Sequence, residues 1–163
     1  MVKSAPGYAA NRARISVALS QFTVPLLSRI YAAFDGDMVA ALVLGEIAHR
    51  NVEAWLAQHD NAEDPLYDQN PENREPMLRP CNALSIAEAC KLPRETVRRK
   101  VVHLIDRGFV YRNDRGHLYL THDVGDHFED MTAQIVEHLL VTAAKLEGLL
   151  KEQRRLVADQ PGA

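Results

Sequence analysis

The chain has 163 residues, 47% of them hydrophobic and 25% charged, with a net charge of −3. That length suits one compact domain, or one domain with appended oligomerisation helices. No apolar run approaches the roughly 18 residues that a membrane-spanning helix needs. The N-terminal MVKSAPGYAANRAR lacks the apolar core of a secretory signal, and Cys81 and Cys90 fall into neither a CxxC nor a finger spacing. A reduced, cytoplasmic setting with no membrane partner is the expectation.

Residues 1–11 read as a loose tail. Helical patterning starts at Arg12 and is interrupted at Pro25, which predicts one helix over 12–21 and a second over 24–34. Thr23 is placed to cap the second, with Pro25 in its first turn, where a missing N–H costs little. Asp35-Gly36-Asp37 then breaks the chain and offers Asp37 as the next N-cap. In the helix predicted over 38–58, Val39, Leu42, Val43, Ile47, Val52, Trp55 and Leu56 recur on a 3.6-residue period and should form one buried face.

Residues 59–81 change character. Four prolines (Pro65, Pro71, Pro76, Pro80) and six acids against two arginines rule out a long helix and predict an acidic, Pro-rich loop, with Cys81 exposed at its edge. Order resumes at SIAE (85–88), which reads as a capping box with Ser85 as N-cap and Glu88 as its partner. Leu92-Pro93 stops that short helix after Lys91, and the next begins at Pro93 or Arg94. Val97, Val101, Leu104 and Ile105 take one side of it, Arg94, Glu95, Arg98 and Arg99 the other, and Gly108 ends it. Two short helices joined by a three-residue turn make a helix-turn-helix.

FVYR (109–112) and HLYLT (117–121) alternate apolar and polar residues around NDRG, which predicts a hairpin. A hairpin directly after a helix-turn-helix is a wing. The expected fold is therefore mainly α with a small β-hairpin wing, a winged helix-turn-helix over 38–122, flanked by a tail and dimerisation helices over 1–37 and a dimerisation helix within 123–163. That last helix is predicted over about 126–157, with Asp126 as its cap. Phe128, Ile135, Thr142, Leu149 and Leu156 recur every seven residues, and Leu139 and Leu146 interleave with them. At about 1.5 Å per residue such a helix is ~45 Å long, more than a small domain covers alone. A second copy of the same helix is the simplest cover, so a homodimer is expected, built on Leu26, Ile30, Ile135, Leu139, Leu146 and Leu149.

Charge is distributed unevenly. From Lys91 to His117, Lys91, Arg94, Arg98, Arg99, Lys100, Arg107, Arg112 and Arg115 stand against Glu95, Asp106 and Asp114, so this stretch carries +5 and the rest of the chain −8. Such an asymmetry is the footprint of a polyanion-binding surface. Arginine pairs bidentately with guanine, and a neighbouring acid accepts from cytosine N4. Arg94, Glu95 and Arg99 fit base reading, whereas Arg98 and Lys100, with Ser85 and Thr96 nearby and Arg115 at the wing tip, fit contacts to the DNA backbone.

LPRETVRRKVVHLIDRGFV (92–110) resembles the recognition helix of bacterial winged helix-turn-helix regulators, and its RETV-R core is similar to that of the cyclic-AMP receptor protein family. That resemblance covers about 25 residues and implies that Arg94, Glu95 and Arg99 read bases of double-stranded DNA. No counterpart of the family's β-rich cyclic-nucleotide domain precedes it, so cyclic-nucleotide binding is not implied. The helices before and after the central module look like the MarR family of dimeric regulators, although the acidic 59–81 stretch is not part of the usual MarR pattern. Together these resemblances imply a prokaryotic or phage transcriptional regulator acting on a pseudo-palindromic site.

Other classes are weaker. GxGxxG, a Walker loop, HExxH and GxSxG are all missing, so neither an enzyme nor a cofactor is expected. In HDVGDHFED (122–130), His122, Asp123, Asp126, His127 and Glu129 carry metal-ligating chemistry, but acids at a helix start also cap it, and no metal is expected. The apolar N-terminal helices either form the dimer core, the preferred reading, or line a pocket for a small-molecule effector of unknown identity. The alternative function is a winged-helix module that regulates a protein partner without touching DNA.

Overall fold

The computed structural model describes residues 8–56 and 69–158, without the side chains of Ala54 and 152–158. The first seven residues of the expected tail, positions 59–68 of the acidic stretch and the Leu156 side chain therefore lie outside the described residues. In chain order the elements are α1 (Arg12–Ala33), α2 (Met38–Leu56), α3 (Pro71–Arg74) running into a 3-10 turn (Glu75–Met77), α4 (Ala83–Cys90), α5 (Arg94–Asp106), β1 (Val110–Arg112), β2 (Leu118–Leu120) and α6 (Asp123–Ala158). The architecture is mainly helical with a small two-stranded antiparallel hairpin.

The chain divides into two units, Met1–Arg29 with Asp130–Ala163, and Ile30–Glu129. The division differs from the sequence-based boundaries at 37/38 and 122/123 because the inner ends of the two long helices belong to the central core. There Phe34 and Phe128 stack with ring centroids 5.5 Å apart, and Val124 is buried.

Within the central unit, Val43 and Ile47 of α2, Ile86 of α4, Val97, Val101 and Leu104 of α5, and Val110, Leu118 and Leu120 of the hairpin form one buried cluster. Each such side chain contributes roughly 1.5–3 kcal/mol of transfer free energy. Asp37 caps α2 by accepting the Ala40 N–H at 3.0 Å. The buried face of α2 is narrower than its periodicity suggested. Leu42 and Leu56 are each 59% exposed, and the inward positions are Ala40, Val43, Leu44, Ile47, Asn51 and Trp55.

Several boundaries depart from the sequence reading for local reasons. α4 starts at Ala83, because Asn82 rather than Ser85 is the N-cap. The Asn82 carboxamide oxygen accepts from the Leu84 and Ser85 N–H groups, both at 3.0 Å, while Ser85 Oγ accepts from the Asn82 N–H. Ser85 thus fills the reciprocal place in the box that had been given to Glu88. The stretch from Asn70 to Cys81 is not an open loop. Asn70 caps α3 through the Glu72 N–H, Arg74 and Leu78 are buried, and Cys81, expected at the surface, is buried and bridges to Leu118 of β2. α6 begins at Asp123 rather than Asp126, with both acids in its first turn, where they complement the helix dipole.

Lys91, with φ 54°, closes α4 in the left-handed region, and Gly108, with φ 75°, follows α5 where such a residue is wanted. The hairpin pairs Val110 with Leu120, Tyr111 with Tyr119 and Arg112 with Leu118. Its turn is held by the Asn113 carboxamide oxygen, which accepts from the Arg115 and His117 N–H groups.

In the other unit, α1 and α6 run antiparallel. Asn11 donates to the Leu149 carbonyl, Lys145 to Gln21, and Phe22 meets His138 edge-on at 6.2 Å. α1 is one helix, not two: Pro25 lies inside it, and Thr23 donates its hydroxyl back to the Leu19 carbonyl at 3.0 Å instead of capping a new start. An interior proline costs about 3 kcal/mol. Packing before it, at buried Ile15 and Ala18, and after it, at half-buried Leu26, offsets that cost.

Candidate nucleic-acid interface

The α4–turn–α5 segment is shaped by its own sequence. The turn Lys91-Leu92-Pro93 is closed by the Leu92 N–H on the Ala87 carbonyl, and Pro93 leads directly into α5. With Val97, Val101 and Leu104 buried, the 3.6-residue period leaves Arg94, Glu95, Arg98 and Arg99 exposed on the opposite side.

The exposed charges are not equivalent. Glu95 and Arg98 form a bidentate pair, Nε to Oε2 at 2.9 Å and Nη2 to Oε1 at 2.8 Å. The Arg98 hydrogen bonds hold the Glu95 carboxyl below its ordinary value, and the same bonds raise the Arg98 guanidinium. Arg94 and Arg99 have no hydrogen-bond or ion-pair partner among the described residues, and neither do the exposed side chains of Arg112 and Arg115 on the hairpin.

Other basic residues of the stretch are turned to structural use. Lys100, expected at the DNA backbone, instead donates to Asp37 Oδ2 at 2.6 Å and ties α5 to the start of α2. Arg107 lies over the Phe109 and Phe34 rings at 4.8 and 5.6 Å and donates to the Ala33 carbonyl, so it is no part of the exposed cationic face. Ser85 is occupied with the Asn82 box, and Thr96 is half-buried beside the exposed row.

Between the start of α4, the first turn of α5 and the hairpin lies a groove of about 380 Å³, lined by Asn82, Ala83, Leu84, Arg94, Arg98, Arg112, Gly116 and Leu118. Three arginines and no acid line it. Arg115 lies on the other side of the hairpin turn, in a cleft of about 680 Å³ shared with Glu72, Glu75 and Asp114.

Two supports of the hairpin escaped the sequence reading. Asn51 of α2 is fully buried; its Nδ2 donates to the Leu118 and Arg79 carbonyls at 3.2 and 3.0 Å, and its Oδ1 accepts the Leu120 N–H at 3.0 Å. The only signal was an asparagine on the apolar face of α2. The second is the α3 segment: Arg74 lies over the Tyr111 ring at 5.4 Å, and Glu75 accepts from Asn113 Nδ2 at 2.9 Å. A Pro-rich acidic composition gives no hint of such long-range contacts.

Of the expected dimerisation residues, Leu26, Ile30, Ile135, Leu146 and Leu149 are half-buried within the chain, whereas Leu139 is 48% exposed. Val136 and Leu27, read as parts of the apolar stripe and of the dimer core, are exposed, and so are Leu140 and Val141 on α6 and Val17 and Val24 on α1, which the sequence reading did not single out. His122, Asp123, Asp126, His127 and Glu129 do not converge. His122 meets Asp123 at 2.9 Å, His127 packs on Phe109, and no metal-sized group of three His, Cys or acidic side chains occurs among the described residues. Burial pushes the Cys81 thiol up to about 11, with the nearby Arg50 charge and the Asn51 hydrogen bond only partly opposing it, which keeps it an unreactive core thiol.

No helix among the described residues is long and apolar enough to cross a membrane. Compared with protein-family models, curated proteins and solved structures, the chain gives no match.

Proposed function

We propose that this chain is a sequence-specific DNA-binding transcriptional regulator that acts as a homodimer in the prokaryotic cytoplasm, with the α2–β2 region serving as a winged helix-turn-helix. The observation that carries this reading is the exposed row on α5, where Arg99 has no partner among the described residues and Glu95 is fixed by Arg98 beside it. In the reading, α5 enters the major groove. Arg99 pairs with guanine, Glu95 accepts from cytosine N4, and Arg115 at the hairpin turn meets the backbone. A pseudo-palindromic site presents half-sites about 34 Å apart, one turn of DNA, and a homodimer joined through the exposed apolar side chains of α1 and α6 supplies the two α5 helices that such a site needs.

The test is duplex binding by fluorescence anisotropy across a salt series, using a site selected from a random-sequence pool. Arg99→Ala is expected to cost about 1–3 kcal/mol and to relax one base position. Absence of salt-dependent duplex binding by the unaltered protein would refute the reading and favour a protein-interaction module.

A further inference from the structure

The groove between α4, α5 and the hairpin has a composition that base reading does not account for. Its charged lining consists of Arg94, Arg98 and Arg112, without an acid. Arg98 already gives two of its donors to Glu95, and that pair is close to neutral. The uncompensated charges are therefore Arg94 from the first turn of α5 and Arg112 from β1, on two separate elements facing one space. Asn82 is not set up for the bidentate contact to adenine there, because its oxygen is occupied by the Leu84 and Ser85 N–H groups. No aromatic side chain lines the groove, so it lacks the stacking platform on which single strands or free nucleotides rest. Ala83, Leu84 and Leu118 provide an apolar floor, and Gly116, with φ 79°, brings side-chain-free backbone to the rim.

We propose that this groove seats one phosphodiester of the duplex backbone with its adjoining sugar, clamped between Arg94 and Arg112. The assignment rests on the DNA-binding reading and refines it. Arg94 becomes a phosphate contact instead of a base reader, and Arg112, in the sequence only one of eight basic residues over 91–117, becomes a backbone contact. A phosphate gripped from the helix and the hairpin at once also fixes how deeply α5 enters the groove, because neither arm can shift without loosening the other.

The test compares Arg112→Ala, Arg112→Lys, Arg94→Ala and Arg99→Ala on the selected duplex and on a scrambled one. Arg112 is exposed and unpartnered among the described residues, so its removal leaves the fold intact. Arg112→Ala and Arg94→Ala are each expected to weaken both duplexes equally, by about tenfold, and to flatten the log–log salt slope by about 0.9. Arg112→Lys, which keeps the charge, should retain the slope. Neutral methylphosphonates placed singly along the duplex should reveal one position per half-site that costs the unaltered protein clearly more affinity than it costs Arg112→Ala or Arg94→Ala, each of which keeps only one arm of the clamp. Inorganic phosphate, matched for ionic strength with chloride, should not compete with the duplex; specific competition would make the groove a free-anion site and overturn the proposal. If the protein binds DNA and Arg99→Ala relaxes its preference, but no methylphosphonate position couples to Arg112, the groove assignment fails while the DNA-binding reading stands. If the unaltered protein binds no duplex, both fall.

Discussion

Replacing Asn51 by leucine, which has nearly the same shape, isolates the polar role of a fully buried amide that joins α2 to the hairpin. Asn51 satisfies the Leu118 carbonyl and the Leu120 N–H in the core and the Arg79 carbonyl at its edge. The Leu120 N–H left without a partner costs about 1–3 kcal/mol, the Leu118 carbonyl, which keeps only the weak Cys81 thiol at 3.5 Å, about 1–2 kcal/mol, and the partly buried Arg79 carbonyl roughly 0.5–1.5 kcal/mol. The added apolar burial of leucine returns about 1–2 kcal/mol, which leaves a net loss of about 3 kcal/mol at the middle of these ranges, against a typical total of roughly 5–15 kcal/mol. Urea denaturation followed by circular dichroism should report a lower midpoint at unchanged slope. Asn51→Asp should lose more at neutral pH, because it buries a carboxylate facing two carbonyl oxygens, and should recover part of the loss in acid, where the neutral group can donate one bond. A loss below about 1 kcal/mol for Asn51→Leu would mean that the hairpin is not hung on this side chain, and the account of how it is positioned would be wrong.

Two further outcomes follow from the same structure. Burial alone would push the Asp37 carboxyl up, but the hydrogen bonds from Lys100 and the Ala40 N–H, with the charges of Lys100 and His103, outweigh it and hold the group below its ordinary value of 3.8. Its contribution is therefore complete above the unfolded value and lost as pH falls through the lower folded one, so the thermal-stability gap between the unaltered protein and Asp37→Asn should close in acid; a gap that stayed constant to the lowest pH would contradict the pairing. The exposed pair Leu139 and Leu140, changed together to glutamate, should give folded monomers by sedimentation and abolish specific duplex binding, whereas Leu146→Glu, at a half-buried position, should destabilise the chain itself; an unaltered protein that sediments as a monomer at micromolar concentration would remove the dimer.

Local signals were legible wherever a residue acts on its own backbone. Asp37 as a cap, the stop at Leu92-Pro93, the apolar side of α5 and the glycine after it are consequences of chain geometry within a few residues, and each appears as read. Tertiary context decided the rest. Pro25 could be taken for a break because its local cost is real, yet α1 runs through it with Ile15 and Ala18 buried before it and Leu26 half-buried after it. The eight basic residues of 91–117 look alike in sequence, yet Lys100 and Arg107 are spent on Asp37 and on the Phe34 and Phe109 rings, while Arg94 and Arg112 are brought to one groove from separate elements. Asn51 and Arg74 act on strands dozens of positions away. Periodicity records which side of a helix is apolar, but the identity of the group that meets a given side chain is set only when distant segments close on one another.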